Sequence, residues 1–213
     1  MEDAQLKQII VSLADSDLSC LTEEVVKDVE VAIVLEQDEA HTDQMDFLIN
    51  NIYTEDFERD ADFTKMMKEL RKVLGQDRLL TLASAASAEY IDFEAIEPYV
   101  NFVNIMAYDM ANAPKHHSAL YESANSGSMT SDKAVKAHIT AGIPAEKLVL
   151  GMPFYGRGGL KIAKFNDYKD LHRHTGVVEK WDEKAMVPYL EDEEGVLQLG
   201  YENPRSLRIK CEY

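Results

Sequence analysis

The most constraining feature of this sequence is a regular alternation of apolar runs with amphipathic segments between residues 54 and 152. The apolar runs are Leu79–Ala83, Val100–Tyr108 and Lys147–Met152. Continuous apolar runs of this length are typical of strands that are covered on both faces. Strands that alternate with helices over short connections predict a β-α-β-α-β unit with parallel strands and right-handed crossovers.

Local signals predict where the helices begin and end. The first helix is expected to start at Thr54, an N-cap, and to end at Gly75. A second helix is expected from Asp92 to about Tyr99, and a third from Ser131 to Gly142. A last helix is expected from Arg205 to about Tyr213.

Two segments depart from this alternation. Residues 161–201 contain a lone tryptophan, charged turns and two strand-like runs, Gly176–Trp181 and Val196–Tyr201. They predict a small inserted α+β lobe. Residues 1–59 are rich in acids and lack glycine and proline; they predict a helix after Thr22 and a strand over Val29–Leu35. The rest of this N-terminal segment has weak periodicity and no predicted fold.

Charge and composition exclude several classes of partner. The formal net charge is −17, which disfavours binding to nucleic acid or to an anionic membrane surface, whereas a neutral glycan is compatible with it. No apolar run approaches the roughly 20 residues of a membrane helix. The N-terminal apolar stretch Ile9–Ala14 is short and follows acidic residues, unlike a secretory signal. Export is therefore either not encoded or encoded outside this sequence.

The cysteines and histidines do not predict a metal site. Cys20 and Cys211 are interpreted as two free buried thiols, with a long-range disulfide as the alternative. The histidines lack zinc-site spacing and are predicted to be solvated loop residues. They are His116, His117, His172 and His174. No cofactor is predicted.

Candidate functional residues stand where the predicted strands end. Tyr108 and Asp109 follow one strand, and Tyr155 and Arg157 follow another. In parallel α/β proteins function gathers at the carboxyl ends of strands. A hydroxyl, a carboxylate and a guanidinium together suit a polyhydroxylated, amide-bearing sugar better than a phosphate, because no glycine-rich cradle is present. The alternatives are core tyrosines, a turn-forming Asp109 and a surface salt bridge from Arg157.

These residues lie in segments that resemble glycoside hydrolase family 18, the chitinases and chitinase-like lectins. The resemblance covers residues 60–213 in five ordered segments. Leu79–Ser84 with Ile91–Glu94 is similar to the fifth strand of the family and its helix, and Asn104–Asp109 is similar to the sixth strand. Lys147–Arg157 is similar to the seventh strand. Trp181–Tyr189 is similar to part of the inserted lobe, and Tyr201–Lys210 is similar to the helix before the eighth strand.

The resemblance implies an α/β fold, a TIM-type (β/α)8 barrel that is incomplete here, and hydrolysis of β-1,4 N-acetylglucosamine linkages in chitin or chitooligosaccharides. The family uses substrate-assisted retention, in which the acetamide of the sugar is the nucleophile. Tyr108 would then hydrogen-bond the acetamide, and Asp109 would hold the sugar or the acid. The substrate-binding residues would be Met106, Tyr155, Arg157 and Trp181, the last being either a sugar platform or a plug of the lobe.

The catalytic acid of the family is expected from a motif of spaced aspartates that ends in Asp-Trp-Glu, upstream of Asp62. The nearest imitation is Val31–Glu36, which has apolar residues where the aspartates belong. Glu36 is therefore a weak candidate for the acid, because it lacks the carboxylates that would set its pKa. The alternative function is a catalytically inactive, lectin-like or truncated domain.

The eighth strand is expected to be missing, since the chain stops at Tyr213. An unclosed barrel exposes strand edges and predicts self-association. The family is usually secreted, but the compartment of this chain is not predicted.

Overall fold

A computed structural model describes the backbone of residues 8–12, 30–34, 59–89 and 91–213, and the side chains of residues 63–89, 91–167 and 169–213. The chain divides into two compact units. The first comprises Met1–Ile105 and His138–Val149, and the second Met106–Ala137 and Leu150–Tyr213.

The elements follow the chain in a mixed α/β order. They are β1 (Gln8–Ser12), β2 (Glu30–Val34), α1 (Arg59–Leu74), β3 (Thr81–Ala85), α2 (Phe93–Ile96), β4 (Phe102–Met106), α3 (Ser131–Thr140), β5 (Leu148–Leu150), β6 (Tyr155–Gly158), β7 (Phe165–Asp167), β8 (Val177–Asp182), β9 (Val187–Asp192), β10 (Leu197–Gly200) and α4 (Pro204–Glu212).

The first unit contains two small sheets. Strand β1 pairs in parallel with β2, β2 lies against β3, and the other sheet has the order β3-β4-β5. Helix α1 and α2 cover a buried apolar core next to these strands. Its fully buried members include Met67, Leu80, Leu82, Phe93, Ile96 and Val103.

The predicted end of the first helix at Gly75 and the predicted start of the second near Asp92 are confirmed. Helix α1 ends before Gly75, whose φ of 73° and whose N–H bond to the carbonyl of Arg71 form a glycine stop. Asp92 caps α2 by accepting the N–H of Ala95 at 3.0 Å. The expected last turn of that helix is a 3-10 helix over Glu97–Tyr99.

The second unit is built on an antiparallel sheet of five strands in the order β7-β6-β10-β9-β8. One face packs on a core of Leu171, Leu190, Leu199 and Tyr201. The sheet begins earlier than the predicted lobe, at Tyr155, and contains two strands, β7 and β9, that were not predicted. Within residues 155–200, all of which have a described backbone, the helical structure is one 3-10 helix, Tyr168–Arg173.

The predicted strand Lys147–Met152 is confirmed in shorter form as β5. The expectation that Tyr155 and Arg157 extend from the end of a parallel strand is wrong. They lie on β6, a separate strand whose pairing with β7 and β10 is antiparallel. The division into domains at residues 59 and 161 stays a prediction.

Several other predictions have a defined outcome. The strand over Val29–Leu35 is confirmed as β2, whereas β1 was not predicted. Cys211 is free but exposed, so its predicted burial is wrong. No helix in the described ranges is both long and apolar enough to span a bilayer. The predictions that lie outside the described residues concern Thr22, Thr54, Cys20 and Glu36.

Candidate functional site

The loop after β4 holds Asp109 in an unusual backbone conformation. Its φ is 56°, in the left-handed region that aspartate and asparagine tolerate better than most residues. The next N–H, that of Met110, donates to the carbonyl of His117 at 3.0 Å and closes the loop. The strained residue is thus fixed by a backbone bond at the mouth of its loop.

Strand β6 presents the other charged group through a simple alternation. Successive side chains of a strand point to opposite faces, so Tyr155 and Arg157 share one face and the glycines share the other. A Cβ at Gly156 would lie 2.8 Å from Leu171 Cδ2 and 3.1 Å from Leu199 Cδ1. Glycine is therefore required where the strand packs on the core, and the functional side chains occupy the opposite face.

Strands β10 and β9 extend the sheet face that carries Tyr155 and Arg157, and Gly200 leaves space on this face for a loop. Arg157 on β6 is in register with Gly200 on β10, and Gly200 with Tyr189 on β9. A Cβ at Gly200 would lie 3.6 Å from Cδ2 of His117, so the loop that carries the two adjacent histidines lies directly over Gly200. The ring of His116 meets that of Tyr189 edge-on, with centroids 5.3 Å apart.

These elements bring five side chains together as the Asp109 cluster: Tyr108, Asp109, His117, Tyr155 and Arg157. The Oδ1 atom of Asp109 lies 3.2 Å from Nδ1 of His117 and 3.4 Å from an Nη of Arg157. The hydroxyl of Tyr155 hydrogen-bonds the same carboxylate, and Tyr108 lies close enough to act electrostatically on Tyr155. The four residues predicted from strand ends are thus neighbours.

Electrostatics keep the central carboxylate ionised. Partial burial alone would raise the pKa of Asp109, but hydrogen bonds from His117 and Tyr155 and the charge of Arg157 hold that pKa below its usual value. Burial, together with the hydrogen bond to Asp109, raises the pKa of Tyr155 far above that of free tyrosine. At neutral pH the pair is therefore a carboxylate next to a neutral phenol.

The cluster is open to a ligand and contains both donors and acceptors. The side chain of Asp109 is 33% exposed, so it has acceptor capacity left for a ligand. The guanidinium of Arg157 lies 4.7 Å from the ring centroid of Phe165, which is itself exposed. This set of groups can hydrogen-bond hydroxyls and amides beside an apolar ring, as binding of a sugar requires.

The two adjacent histidines are buried, and the prediction that they are solvated is wrong. Both His116 and His117 are 1% exposed. Nε2 of His116 lies 3.1 Å from Oδ2 of Asp182, an oxygen that also accepts a hydrogen bond from Ser123. His172 is exposed, as predicted. Among the described residues, no group of three His, Cys, Asp or Glu side chains could hold a metal ion.

Three of the predicted site residues are not part of the cluster as described. Trp181 lies on β8, separated from β6 by the two strands β10 and β9 and on the opposite face of the sheet, and Arg205 covers its ring at 3.8 Å. Met106 is half-buried at the end of β4. Glu36 lies outside the described residues. Conversely, His117 was not predicted to take part, because a polar loop offers no local sign of burial.

Two solved structures that superpose on this chain are an N-acetylglucosaminidase and a chitinase. An N-acetylglucosaminidase of glycoside hydrolase family 18 from Paenibacillus barengoltzii superposes with a TM-score of 0.64 at 20% identity, over 98% of this chain and 91% of that one. The Group IV chitinase of Ostrinia furnacalis superposes with a TM-score of 0.65 at 20% identity, over 90% and 71%. The fold of this chain is therefore of the TIM-barrel type, in which β-strands alternate with α-helices.

The sequence comparison gives the family. The pattern of Glycosyl hydrolases family 18 matches residues 21–213, and the chain belongs to this family. It is 29% identical to Chitinase A1 of Niallia circulans over 199 residues, which are 71% of this chain and 28% of that protein. It is 34% identical to Chitotriosidase-1 of Mus musculus over 109 residues, 45% of this chain and 24% of that protein. The chain thus spans about a quarter of the length of these two relatives.

Proposed function

We propose that this chain binds β-1,4-linked N-acetylglucosamine oligosaccharides, or chitin, at the Asp109 cluster and hydrolyses them by substrate-assisted retention. The observation that carries the proposal is the ionised, partly exposed Asp109 carboxylate, which is held by Tyr155 and Arg157. In this mechanism the acetamide attacks the anomeric carbon, so the protein must orient that group. Tyr108 donates to the acetamide, and Asp109 fixes the reacting sugar.

The chemistry also requires an acid that protonates the leaving oxygen, and Glu36 is the candidate. Met106 lines the pocket, and Tyr155 and Arg157 contact neighbouring sugars. Trp181 takes the alternative role of a plug of the lobe, because its ring is on the other face of the sheet and is covered by Arg205. Family membership and the names of the relatives support this substrate class.

The second candidate is a domain that binds the same oligosaccharides without cleaving them. It is favoured by the sequence before Glu36, Val31–Leu35, where apolar residues replace the spaced aspartates of the family. Without nearby carboxylates a glutamate lacks the environment that raises and tunes the pKa of a general acid.

A fluorogenic assay separates the two candidates. Turnover of 4-methylumbelliferyl chitobioside that is lost in Glu36→Gln and kept in Glu39→Gln, a control in the same acidic segment, supports the hydrolase. Binding of chitotriose in a calorimeter without turnover supports the lectin-like domain. If neither binding nor turnover is found, the proposed function is wrong.

The binding site itself is tested by Asp109→Asn, which keeps the side-chain volume and removes the charge. A hydrogen bond to a charged group contributes about 1.5–3 kcal/mol, so affinity for chitotriose should fall at least about tenfold. Asp170→Asn is the control, because Asp170 pairs with Arg173 on the surface. Equal affinities of the two variants would contradict the assignment of the site.

The proposal extends to assembly. Strands β1-β2 and β3-β4-β5 are separate hydrogen-bonded sheets within the described residues, as expected of a barrel that is not closed. We propose that a second copy covers the strand edges that such a barrel exposes. A light-scattering mass of two chains is expected, and a stable monomer would count against it.

A further inference from the structure

His117 contacts Asp109 in a way that fixes the tautomer of its ring. Nδ1 lies 3.2 Å from the carboxylate oxygen Oδ1 and 3.4 Å from the backbone nitrogen of Asp109. One ring nitrogen cannot donate to the first atom and accept from the second. The carboxylate contact is shorter and charge-assisted, and an ionised carboxylate can only accept. The proton therefore belongs on Nδ1 and points at Asp109.

The ring that carries this proton has a fixed position. It is buried, it lies over Gly200, and its centroid is 5.5 Å from that of Tyr155 at a tilt of 36°. The carbonyl of the same residue accepts the N–H of Met110. Side chain and backbone thus hold both ends of the loop that carries the strained Asp109.

We infer that His117 is a positioning residue of this site: its Nδ1–H orients the Asp109 carboxylate toward the Tyr155 hydroxyl and keeps it ionised for the sugar. The charged and titratable groups that face Asp109 are His117 from the loop, Tyr155 and Arg157 from β6, and Tyr108 from the preceding position. His117 is the buried member of this group. The inference deepens the proposed function and rests on it for its binding readout.

The test compares two amides at the same position. In His117→Asn the amide nitrogen takes the place of Nδ1 and can still donate to Asp109. In His117→Gln it takes the place of Nε2, for which the described part of the chain offers no hydrogen-bond partner. Both variants lose the ring and keep a buried amide, so they differ chiefly in this one donor.

Two measurements are made on each variant. NMR titration of protein with carbon-13 aspartate reports the pKa of the Asp109 carboxyl, which should stay low in His117→Asn and rise in His117→Gln. Calorimetry with chitotriose should show affinity near wild type for His117→Asn and about tenfold weaker for His117→Gln. His116→Gln is the control, because its amide can keep the contact with Asp182 and it does not touch Asp109.

The carboxyl titration separates failure of the inference from failure of the proposed function. If wild type does not bind chitotriose, the function is wrong, but the titration of Asp109 still tests the positioning role. If Asp109 titrates alike in wild type and both His117 variants, the inference is wrong. If His117→Gln does not fold, His117→Asn alone tests the inference. Because asparagine keeps the donor position, a raised pKa of the Asp109 carboxyl in that variant would overturn the inference.

Discussion

In the second unit, both partners of one ion pair are buried beside the antiparallel sheet. Lys210 and Glu202 are each 1% exposed, and their side chains are in direct contact. Lys210 also donates to the carbonyl of Ser118, and the hydroxyl of Ser118 donates to Glu202 at 2.7 Å. Burial lowers the pKa of Lys210, and the charge of Glu202 opposes this shift. The pair therefore ties helix α4 to the loop that carries the buried histidines.

Removing one partner of this pair should be costly. Lys210→Met leaves the Glu202 charge buried and unpaired, which typically costs about 3–5 kcal/mol in the free energy of unfolding. Urea denaturation followed by circular dichroism measures the loss. The matched control is Lys133→Met, which breaks an exposed pair with Glu122 and should cost about 1 kcal/mol or less. Similar losses in both variants would mean that the buried pair does not stabilise the fold.

The sequence predicted the identity of most residues in the Asp109 cluster but not their support. Tyr108, Asp109, Tyr155 and Arg157 could be selected because they follow apolar runs in short motifs. The burial of His117 could not be predicted, because it depends on Gly200, which lies far along the chain and leaves space for the ring. Support of this kind comes from strand register, and no local pattern encodes it.

At the scale of elements, the turn after α3 is a tight contact between helices. Gly142 has a φ of 109°, and its N–H donates to the carbonyl of Ile139 at 3.1 Å. A Cβ at this position would lie 2.8 Å from Cα of Glu94 in α2. Gly75 after α1 has a positive φ of 73°, closer to the left-handed region that other residues can adopt, and a Cβ there would meet nothing within 4 Å. Gly75 thus carries backbone strain alone, whereas Gly142 carries greater backbone strain together with crowding.

Alanine substitutions at these two positions should therefore differ in cost. Gly75→Ala should lose about 1 kcal/mol of unfolding free energy, from the left-handed backbone alone. Gly142→Ala should lose about 1–3 kcal/mol more, because its Cβ meets backbone that cannot rotate away and because its φ of 109° lies further from the region that alanine adopts. Chemical denaturation of both variants measures the difference. Equal losses would show that the turn and α2 both adjust to accommodate the methyl group.

Elements were predictable where a local signal marks them and unpredictable where tertiary contacts override the signal. The stop of the first helix at Gly75 and the start of the second near Asp92 were predicted from the sequence. Strand β9 was missed because Pro188 argues against a strand interior, and β6 was misassigned because its two glycines hide a strand pattern. In both strands, pairing with neighbours overrides weak local propensity.

At the scale of the whole molecule, the response to acid should reflect both the large negative charge and the buried His116. Burial lowers the pKa of His116, although its hydrogen bond to Asp182 opposes the shift. Burial alone would raise the pKa of Asp182. This effect is outweighed by hydrogen bonds, which lower that pKa and come from the Ala185 and Lys184 backbone, Ser123 and His116. Protonation of surface carboxylates has a separate effect, since it relieves the repulsion of a chain with net charge −17.

The sign of the His116 effect follows from linkage. As pH falls through about 6.5, the unfolded chain binds a proton at this histidine before the folded protein does, so the folded state loses stability. Asp182 adds a second loss at lower pH, near about 4, where an unfolded aspartate becomes protonated first. The groups that face His116 are Asp182, His117, Glu202 and Tyr189.

His116→Gln isolates the first of these effects, because its amide can still bond Asp182 but cannot titrate. Urea denaturation from pH 8 to pH 5 measures the free energy of unfolding of both proteins. As the pH falls, this free energy should decrease more in wild type than in the variant. The charge of the rest of the chain is nearly the same in both proteins, so relief of repulsion cancels in the difference. His172→Gln, at an exposed position, controls for the loss of a histidine elsewhere. If the difference in unfolding free energy between the two proteins stays constant with pH, folding does not change the proton affinity of His116, and the prediction is wrong.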